Sequence, residues 1–156
     1  PLEIVLVISS FTVAHSITLG LAAFSIVSLS QPPVEAVIAA SIVLLAYEIL
    51  QNKKTLSSQF PVLIAFAFGL LHGLGFAGAL LEIGLPENSR LLALLLFNVG
   101  IELGQLAIVG VVLGALTLST IKLSTRIQHA PVYMAGGVAS FWFMERAWQI
   151  FLPVFI

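Results

Sequence analysis

Long apolar runs separated by short polar breaks form the dominant pattern along the 156 residues of the chain. A transmembrane helix needs about 20 predominantly apolar residues to cross a hydrocarbon core of about 30 Å. Runs of that length predict membrane spans near residues 2–29, 34–51, 60–83, 90–119 and 131–152. The predicted fold is therefore all-α: a polytopic transmembrane helix bundle with about five spans, forming a single domain over residues 1–156.

The breaks between these runs contain residues that interrupt helices. They are Gln31-Pro32-Pro33, Gln51-Asn52-Lys53-Lys54, Gly84-Leu85-Pro86-Glu87-Asn88 and the stretch from Lys122 to Pro131. The prolines at 33, 61 and 131 fall at predicted helix starts, where a missing N–H costs least. Because the loops are short, consecutive spans are expected to pack antiparallel.

The basic residues predict an orientation. Lys53, Lys54, Lys122 and Arg126 all fall in the second and fourth loops, which share one side of the membrane. Because Lys and Arg in short loops are retained in the cytoplasm, the chain is predicted to start on the cytoplasmic side and to end outside. It begins at Pro1 within an apolar segment and without an initiator Met, so a processed or trimmed chain is expected.

Composition supports the membrane assignment and narrows the chemistry. The chain is 60% hydrophobic and 8% charged, with a mean hydropathy of +1.14, whereas soluble domains are about 25% charged. A lipid bilayer is therefore the expected surrounding. The net charge is −1 and the chain has no basic cluster, so nucleic acid is not an expected partner. Because the chain has no cysteine, disulfides, thiolate metal sites and cysteine nucleophiles are excluded.

Three ionisable residues fall at a similar depth within the predicted spans. Counted at 1.5 Å per residue from the outer helix ends, His15, His72 and Glu102 lie about 14, about 11 and about 12 residues deep, close to mid-membrane. An ionisable group at that depth is costly and calls for a partner or a function. Two imidazoles and a carboxylate would suit a divalent transition metal such as Ni, Co, Zn or Cu(II).

Other polar residues share the same helix faces. Asn98 and Gln105 lie one turn on either side of Glu102, and Thr18 follows His15 by three positions. These side chains would support the metal site, with Asn98 as a further candidate ligand. The alternative interpretation stays open: each histidine alone could form an interhelical hydrogen bond, and Glu102 alone could be a protonated carboxyl that donates to a carbonyl.

A second polar layer is predicted nearer the outer surface. Glu145 and Arg146 lie near the outer end of the last span, and Glu35 begins the second span at a similar level. These residues could form an interhelical salt bridge that fixes packing, or they could line an outer vestibule that receives a cation. His129 is expected in the polar fourth loop, exposed to solvent.

Glycines recur along the third and fourth spans. They are Gly69, Gly73, Gly75 and Gly78 on the third and Gly100, Gly104, Gly110 and Gly114 on the fourth. Small residues at this spacing let helix backbones approach closely in lipid, so tight helix packing is their expected role.

Four ordered motifs at these same positions resemble the HupE/UreJ family of bacterial membrane proteins. They are Phe11-Thr-Val-Ala-His15-Ser-Ile-Thr18-Leu, Phe68-Gly-Leu-Leu-His72-Gly-Leu-Gly-Phe-Ala, Phe97-Asn98-Val-Gly-Ile-Glu102-Leu-Gly-Gln105 and Phe141-Trp-Phe-Met-Glu145-Arg146. The resemblance implies a small permease or accessory protein in the bacterial cytoplasmic membrane, linked to nickel or cobalt supply for metalloenzymes. The chain departs from the family's nickel permeases, which carry a His-Pro motif and an Asp-His pair, because it has no Asp. It is more similar to a divergent branch with His15, His72 and Glu102 at the motif positions.

The favoured function is transport of a divalent cation, Ni or Co before other metals, through a mid-membrane site formed by His15, His72 and Glu102. An intramembrane zinc-dependent hydrolase remains an alternative, although the chain lacks His-Glu-x-x-His and Gly-x-Ser-x-Gly motifs and offers no catalytic residue set. A non-transporting accessory subunit is a third. Five spans do not divide into two equal repeats, so a homo-oligomer stays open as a source of symmetry.

Overall fold

A computed structural model describes residues 2–51, 54–84, 87–118 and 124–152, and the elements within these ranges are helical. The helices are α1 (Leu2–Ala23), α2 (Gln31–Gln51), α3 (Leu56–Gln59), α4 (Pro61–Ile83), α5 (Arg90–Leu118) and α6 (Thr125–Phe151), with a 3₁₀ turn at Glu87–Ser89 before α5. The described part of the chain contains no strand, which confirms the predicted all-α fold.

Four helices are long and apolar enough to cross a membrane by length and composition. The qualifying segments are Leu2–Ala23, Gln31–Gln51, Pro61–Gly78 and Arg90–Ala115, in α1, α2, α4 and α5. At 27 residues α6 is also long enough to span, but it is less apolar than the others. We treat α6 as the fifth span, because it packs lengthwise on α2.

The closest packing in the bundle joins α1 to α4 through glycine. A Cβ on Gly69 would collide with the backbone of Phe11, and one on Gly73 would collide with the backbone of His15. Both contacts advance in the same direction along the two helices, so α1 and α4 run parallel. This interface therefore holds the α1 backbone at His15 against the α4 backbone on either side of His72.

The other long helices form antiparallel contacts with one another. Helix α5 packs on α1, and α6 packs on α2, where Glu35 lies beside Arg146 and Ala46 lies beside Gly136. Helix α2 also contacts α4, where Ile38 packs on Gly75. The bundle thus consists of a group α1/α4/α5 and a pair α2/α6, joined by the contact between α2 and α4.

This arrangement corrects the prediction that consecutive spans pack against each other. Among the described residues, α1 packs on α4 and α5, and α2 packs on α6 and α4. Of these pairs, only α2 and α4 are consecutive spans. The physical reason is that Gly69 and Gly73 of α4 let α1 approach closely, and this packing between helices that are not consecutive outweighs the preference set by short loops.

Helix α1 ends earlier than the predicted span near 2–29. Ser25 adopts a left-handed conformation with φ of 57°, and the amide of Ile26 donates to the carbonyl of Leu21 at 2.9 Å while that of Ser25 donates to Ala22 at 2.9 Å. This pair of bonds is a Schellman cap, which satisfies the last carbonyls and stops the helix. The apolar run continues to residue 29 only because the following loop contains Ile26, Val27 and Leu29.

Helix α6 begins earlier than the predicted span near 131–152. It starts at Thr125, so Pro131 lies inside the helix rather than at its first position, as was predicted. Proline removes one hydrogen bond from the helix, and here the helix continues through that defect. His129 consequently lies in α6 and is half-buried, not in an exposed loop. Helix α2 begins at Gln31, with Pro32 and Pro33 in its first turn.

The glycines of α4 and α5 differ in their surroundings. A Cβ on Gly69, Gly73, Gly75 or Gly78 would meet α1 or α2, as expected for close packing. A Cβ on Gly100, Gly104, Gly110 or Gly114 of α5 would meet nothing within 4 Å. The predicted role in tight packing therefore applies within this chain to α4 and not to α5.

Candidate metal site

His15 lies at the centre of a hydrogen-bond chain between α1 and α5. Its Nδ1 is 3.1 Å from Oδ1 of Asn98, and Nδ2 of Asn98 donates to the carbonyl of Leu94 at 2.8 Å. Because the amide nitrogen is used by Leu94, the amide oxygen faces the imidazole and accepts its proton. The assigned geometry thus keeps the proton of His15 on Nδ1 and leaves the lone pair on Nε2.

Three aromatic rings surround the His15 imidazole, which is only 3% exposed. Phe11 stacks on it at a centroid distance of 6.0 Å, and Phe76 and Phe97 lie at 6.2 and 6.4 Å. These rings restrict the rotation of the imidazole and exclude water from most of its surface. The orientation of His15 is therefore fixed by packing as well as by Asn98.

His72 on α4 has the same tautomer for a different local reason. Its Nδ1 is 2.8 Å from the carbonyl of Phe68, one turn earlier in the same helix, and a carbonyl can only accept. The Nδ1 therefore carries the proton, and Nε2 holds a lone pair. A histidine that ligates a metal commonly donates its other ring N–H to a carbonyl or an amide in this way, which fixes the ring and its tautomer.

Both imidazoles line one cavity of about 410 Å³, which we call the outer cavity. Its walls come from α1, α2, α4 and α6, and its lining residues are Phe11, His15, Glu35, Ile38, Ala39, Ile42, His72, Gly75, Phe76, Trp142 and Arg146. The two histidines also contact the same ring, since Phe11 lies edge-on to His72 at 5.3 Å. The fold thus brings together the two imidazoles that the sequence analysis singled out.

The predicted outer layer belongs to the same cavity. Arg146 forms an ion pair with Glu35 on α2, and its Nη1 is 3.3 Å from the carboxylate of the neighbouring Glu145. The side chains of Arg146 and Glu35 are 30% and 37% exposed, so the pair is accessible from the surface. The pair joins α2 to α6, as predicted for a packing salt bridge, and it also lines the outer cavity. Its role in receiving a cation stays a prediction.

Glu102 lies apart from the two histidines. Its Oε1 accepts a hydrogen bond of 2.6 Å from Ser9 on α1, and the residue lines neither the outer cavity nor its neighbour. Among the described residues, no group of three or more His, Cys, Asp and Glu side chains is close enough to hold a metal ion. The structure therefore brings His15 to His72 and Asn98, but it does not bring Glu102 into that set.

The two predicted supporting residues occupy different places. Thr18 is buried, donates to the carbonyl of Ala14 at 3.3 Å and packs against Gly73, so it belongs to the α1–α4 interface. Gln105 lines a second cavity of about 390 Å³, which we call the inner cavity, and its Oε1 is buried without a hydrogen-bond partner among the described residues. Gln105 is therefore positioned to accept a bond from a ligand or water in that cavity.

Phe11 and Ser9 are the site residues that the sequence analysis missed. Phe11 contacts both imidazoles. The sequence does carry a pattern that could have indicated it, because a phenylalanine stands four residues before each of the two histidines, at Phe11 and at Phe68. This spacing places each phenylalanine one helical turn from its histidine. Ser9 offers no such signal, since its bond to Glu102 depends on how α5 packs on α1.

Comparison with known protein families finds a match over most of the chain. The sequence profile described as "HupE / UreJ protein" matches residues 2–146, which is nearly the whole chain and includes all four motifs. No curated protein and no solved structure matches the chain.

Proposed function

The chain belongs to the HupE/UreJ family and is an integral membrane protein, and from this premise we propose that it is a permease for a divalent transition-metal cation, Ni²⁺ or Co²⁺ before Zn²⁺. The observation that carries the proposal is the arrangement of His15 and His72. They line one cavity, and each has its Nδ1 held by a fixed acceptor. Two imidazole nitrogens with free lone pairs suit these metals.

The proposed mechanism uses the outer cavity to bring the cation to the histidines. The cation exchanges part of its water shell for the Nε2 atoms of His15 and His72, whose orientation is already fixed by Asn98 and Phe68. Binding requires neutral imidazoles, so protons compete with the metal and promote its release. We further propose the bacterial cytoplasmic membrane as the location, with the outer cavity facing outward.

Glu102 has an indirect role in this proposal. Its Oε1 accepts the bond from Ser9, and a carboxylate has a second oxygen that remains able to accept. Located on the same helix as Asn98, one turn away, it would hold α5 against α1 and so keep Asn98 in place beside His15. In this proposal Glu102 supports the site by packing, and Asn98 supports it by orienting His15.

The test is metal uptake by cells that express single variants. We expect His72→Ala to lower Ni²⁺ or Co²⁺ uptake at least about 10-fold, because it removes a ligand, and Glu102→Ala to lower it as well. The matched control is His129→Ala, which removes a half-buried histidine that lines neither cavity and should leave uptake unchanged. Normal uptake by both His72→Ala and Glu102→Ala, at equal protein levels in the membrane, would contradict the proposal.

Metal analysis of the purified protein separates transport from the alternatives. A permease is expected to bind its cargo reversibly and to lose it on dialysis against a chelator. A catalytic zinc centre would instead retain about one Zn²⁺ per chain, and that result, with uptake unaffected by His72→Ala, would favour the hydrolase. A protein that binds metal but supports no uptake in vesicles would favour the accessory subunit.

A further inference from the structure

The outer and inner cavities meet at a thin layer of side chains. Phe11, Ile42 and His72 line both cavities, whereas the remaining lining residues of each differ. The volumes are similar, about 410 and 390 Å³, and each is large enough for a hydrated cation. The layer formed by Phe11, Ile42 and His72, which we call the central layer, is thus the partition between two spaces.

Both cavities follow the seam between the two helix groups. Phe11 and His72 belong to α1 and α4, which interlock through Gly69 and Gly73, and Ile42 belongs to α2, which pairs with α6. The two groups are joined where α2 packs on α4, with Ile38 on Gly75 and Gln31 on Gly78. A seam between two well-packed groups is the place where a bundle can hold a cavity and can open without losing its core.

Polar groups occur on both sides of the central layer. The ion pair of Glu35 with Arg146 lines the outer cavity, and Ser57, which donates to Glu48, lines the inner cavity. The inner cavity also contains the buried, unpartnered Oε1 of Gln105. The linings are otherwise mostly apolar, so these groups are the polar contacts that each cavity offers to a cation on either side of the layer.

The central layer combines a barrier with a ligand. The Phe11 ring lies edge-on to the His72 imidazole at 5.3 Å and, with Ile42, separates the spaces by apolar side chains. His72 lines both spaces and is held through Nδ1 by Phe68, which itself lines the inner cavity. His72 is therefore the one imidazole in the described structure that borders both halves.

We propose that the two cavities are the two halves of one cation path along this seam, that Phe11 and Ile42 are its barrier, and that His72 serves as the ligand on both sides of it. The inference rests on the proposed permease function. A cation bound first by His15 and His72 would leave through the inner cavity, past Gln105 and Ser57, once the barrier opens.

The test uses the absence of native cysteine, which makes every introduced cysteine unique. Ala39→Cys places a thiol in the outer cavity and Ala65→Cys places one in the inner cavity. In proteoliposomes of known orientation, a membrane-impermeant methanethiosulfonate is expected to label the first from one side only and the second from the opposite side only. Ala107→Cys, on an exposed face of α5, is the lipid-facing control and should not be labelled.

Removing the barrier should abolish this sidedness. With Phe11→Ala added, we expect both thiols to become reactive from either side, with labelling rates from the far side rising at least about 10-fold. Ile42→Ala gives a second variant in case Phe11→Ala does not fold, as judged by gel filtration. Labelling of both thiols from the same side, labelling of neither, or unchanged sidedness in both barrier variants would overturn the proposed path.

The labelling result does not depend on transport. If metal uptake proves insensitive to both His72→Ala and Glu102→Ala while the thiols still show opposite sidedness, the permease proposal fails and the two half-paths stand as an architectural feature. If uptake depends on His72 but the sidedness is absent, the permease proposal stands and the path lies elsewhere.

Discussion

At the scale of single residues, the central observation is that both histidines are held in one tautomer by acceptors of different kinds. His15 donates to the side chain of Asn98, whereas His72 donates to a backbone carbonyl of its own helix. A side-chain acceptor can be removed by mutation and a backbone acceptor cannot. A variant of Asn98 can therefore change the orientation of the His15 imidazole while leaving the imidazole itself in place.

Replacing Asn98 by leucine is expected to weaken metal binding about 10- to 100-fold, because the His15 ring loses the acceptor that fixes its Nε2. Asn98→Asp retains an oxygen in the same place and should bind within a few-fold of the native protein. The measurement is calorimetric titration of the purified protein with Ni²⁺. Equal affinities for the leucine and aspartate variants would show that Asn98 has only a packing role, and melting temperatures provide the check on folding.

The site was predictable in part because depth along a helix can be counted from the sequence. The count placed His15 about 14 residues below an outer end near residue 29, but α1 ends at Ala23, so His15 lies eight residues below that end and His72 lies eleven below Ile83. The structure nonetheless brings both histidines to one cavity. Lateral pairing is different, since it depends on which helix faces which. For that reason the bonds of Asn98 to His15 and of Glu102 to Ser9 were not predictable, and the set of His15, His72 and Glu102 stays a prediction.

At the scale of secondary-structure elements, hydropathy located α4 and α5 well because helix-breaking residues limit both runs. The errors arose where a break carried apolar residues or where a proline lay within a helix. The Schellman cap at Ser25 ends α1 although the apolar run continues, and α6 passes through Pro131. Neither feature is coded by hydropathy, because each depends on backbone conformation at one or two residues.

The glycines of α4 and α5 provide a matched pair for testing helix packing. Gly73→Ala should lower the free energy of unfolding by about 1–3 kcal/mol, because its Cβ would collide with the α1 backbone at His15. Gly104→Ala, with nothing within 4 Å, should leave stability unchanged or raise it by about 0.5–1 kcal/mol, since alanine favours helix. The measurement is thermal or denaturant unfolding in detergent. A smaller loss for Gly73→Ala than for Gly104→Ala would contradict the described α1–α4 interface.

At the scale of the whole molecule, the bundle is two packed groups of helices with cavities along the seam between them. The sequence predicted the all-α bundle of about five spans, but not the short helix α3. It also did not predict this grouping, because similar apolar helices can be paired in several ways. What selects the pairing is local and specific: the glycine surface of α4 against α1, and the ion pair of Glu35 with Arg146 between α2 and α6.

The orientation of the molecule is testable with two further cysteines in exposed connections. Because basic residues lie in the loops after α2 and after α5, we expect Ser124→Cys to be cytoplasmic and Ser28→Cys to be outside. In intact bacterial cells an impermeant maleimide should label Ser28→Cys, and Ser124→Cys should react only after permeabilisation. The reverse pattern would invert the predicted orientation and, with it, the direction assigned to the two cavities.

In the proposed permease, the charged cluster of Glu35, Glu145 and Arg146 at the outer cavity also bears on the rate of cation capture. When ionised, Glu35 and Glu145 contribute two negative charges and Arg146 one positive charge, which leaves one net negative charge. Such a charge attracts cations and repels anions over roughly one Debye length, about 8 Å at physiological salt. In the proposed permease, the extra carboxylate of Glu145 therefore favours the diffusional encounter with a dilute metal ion, a kinetic advantage that requires no ligand bond to the cargo.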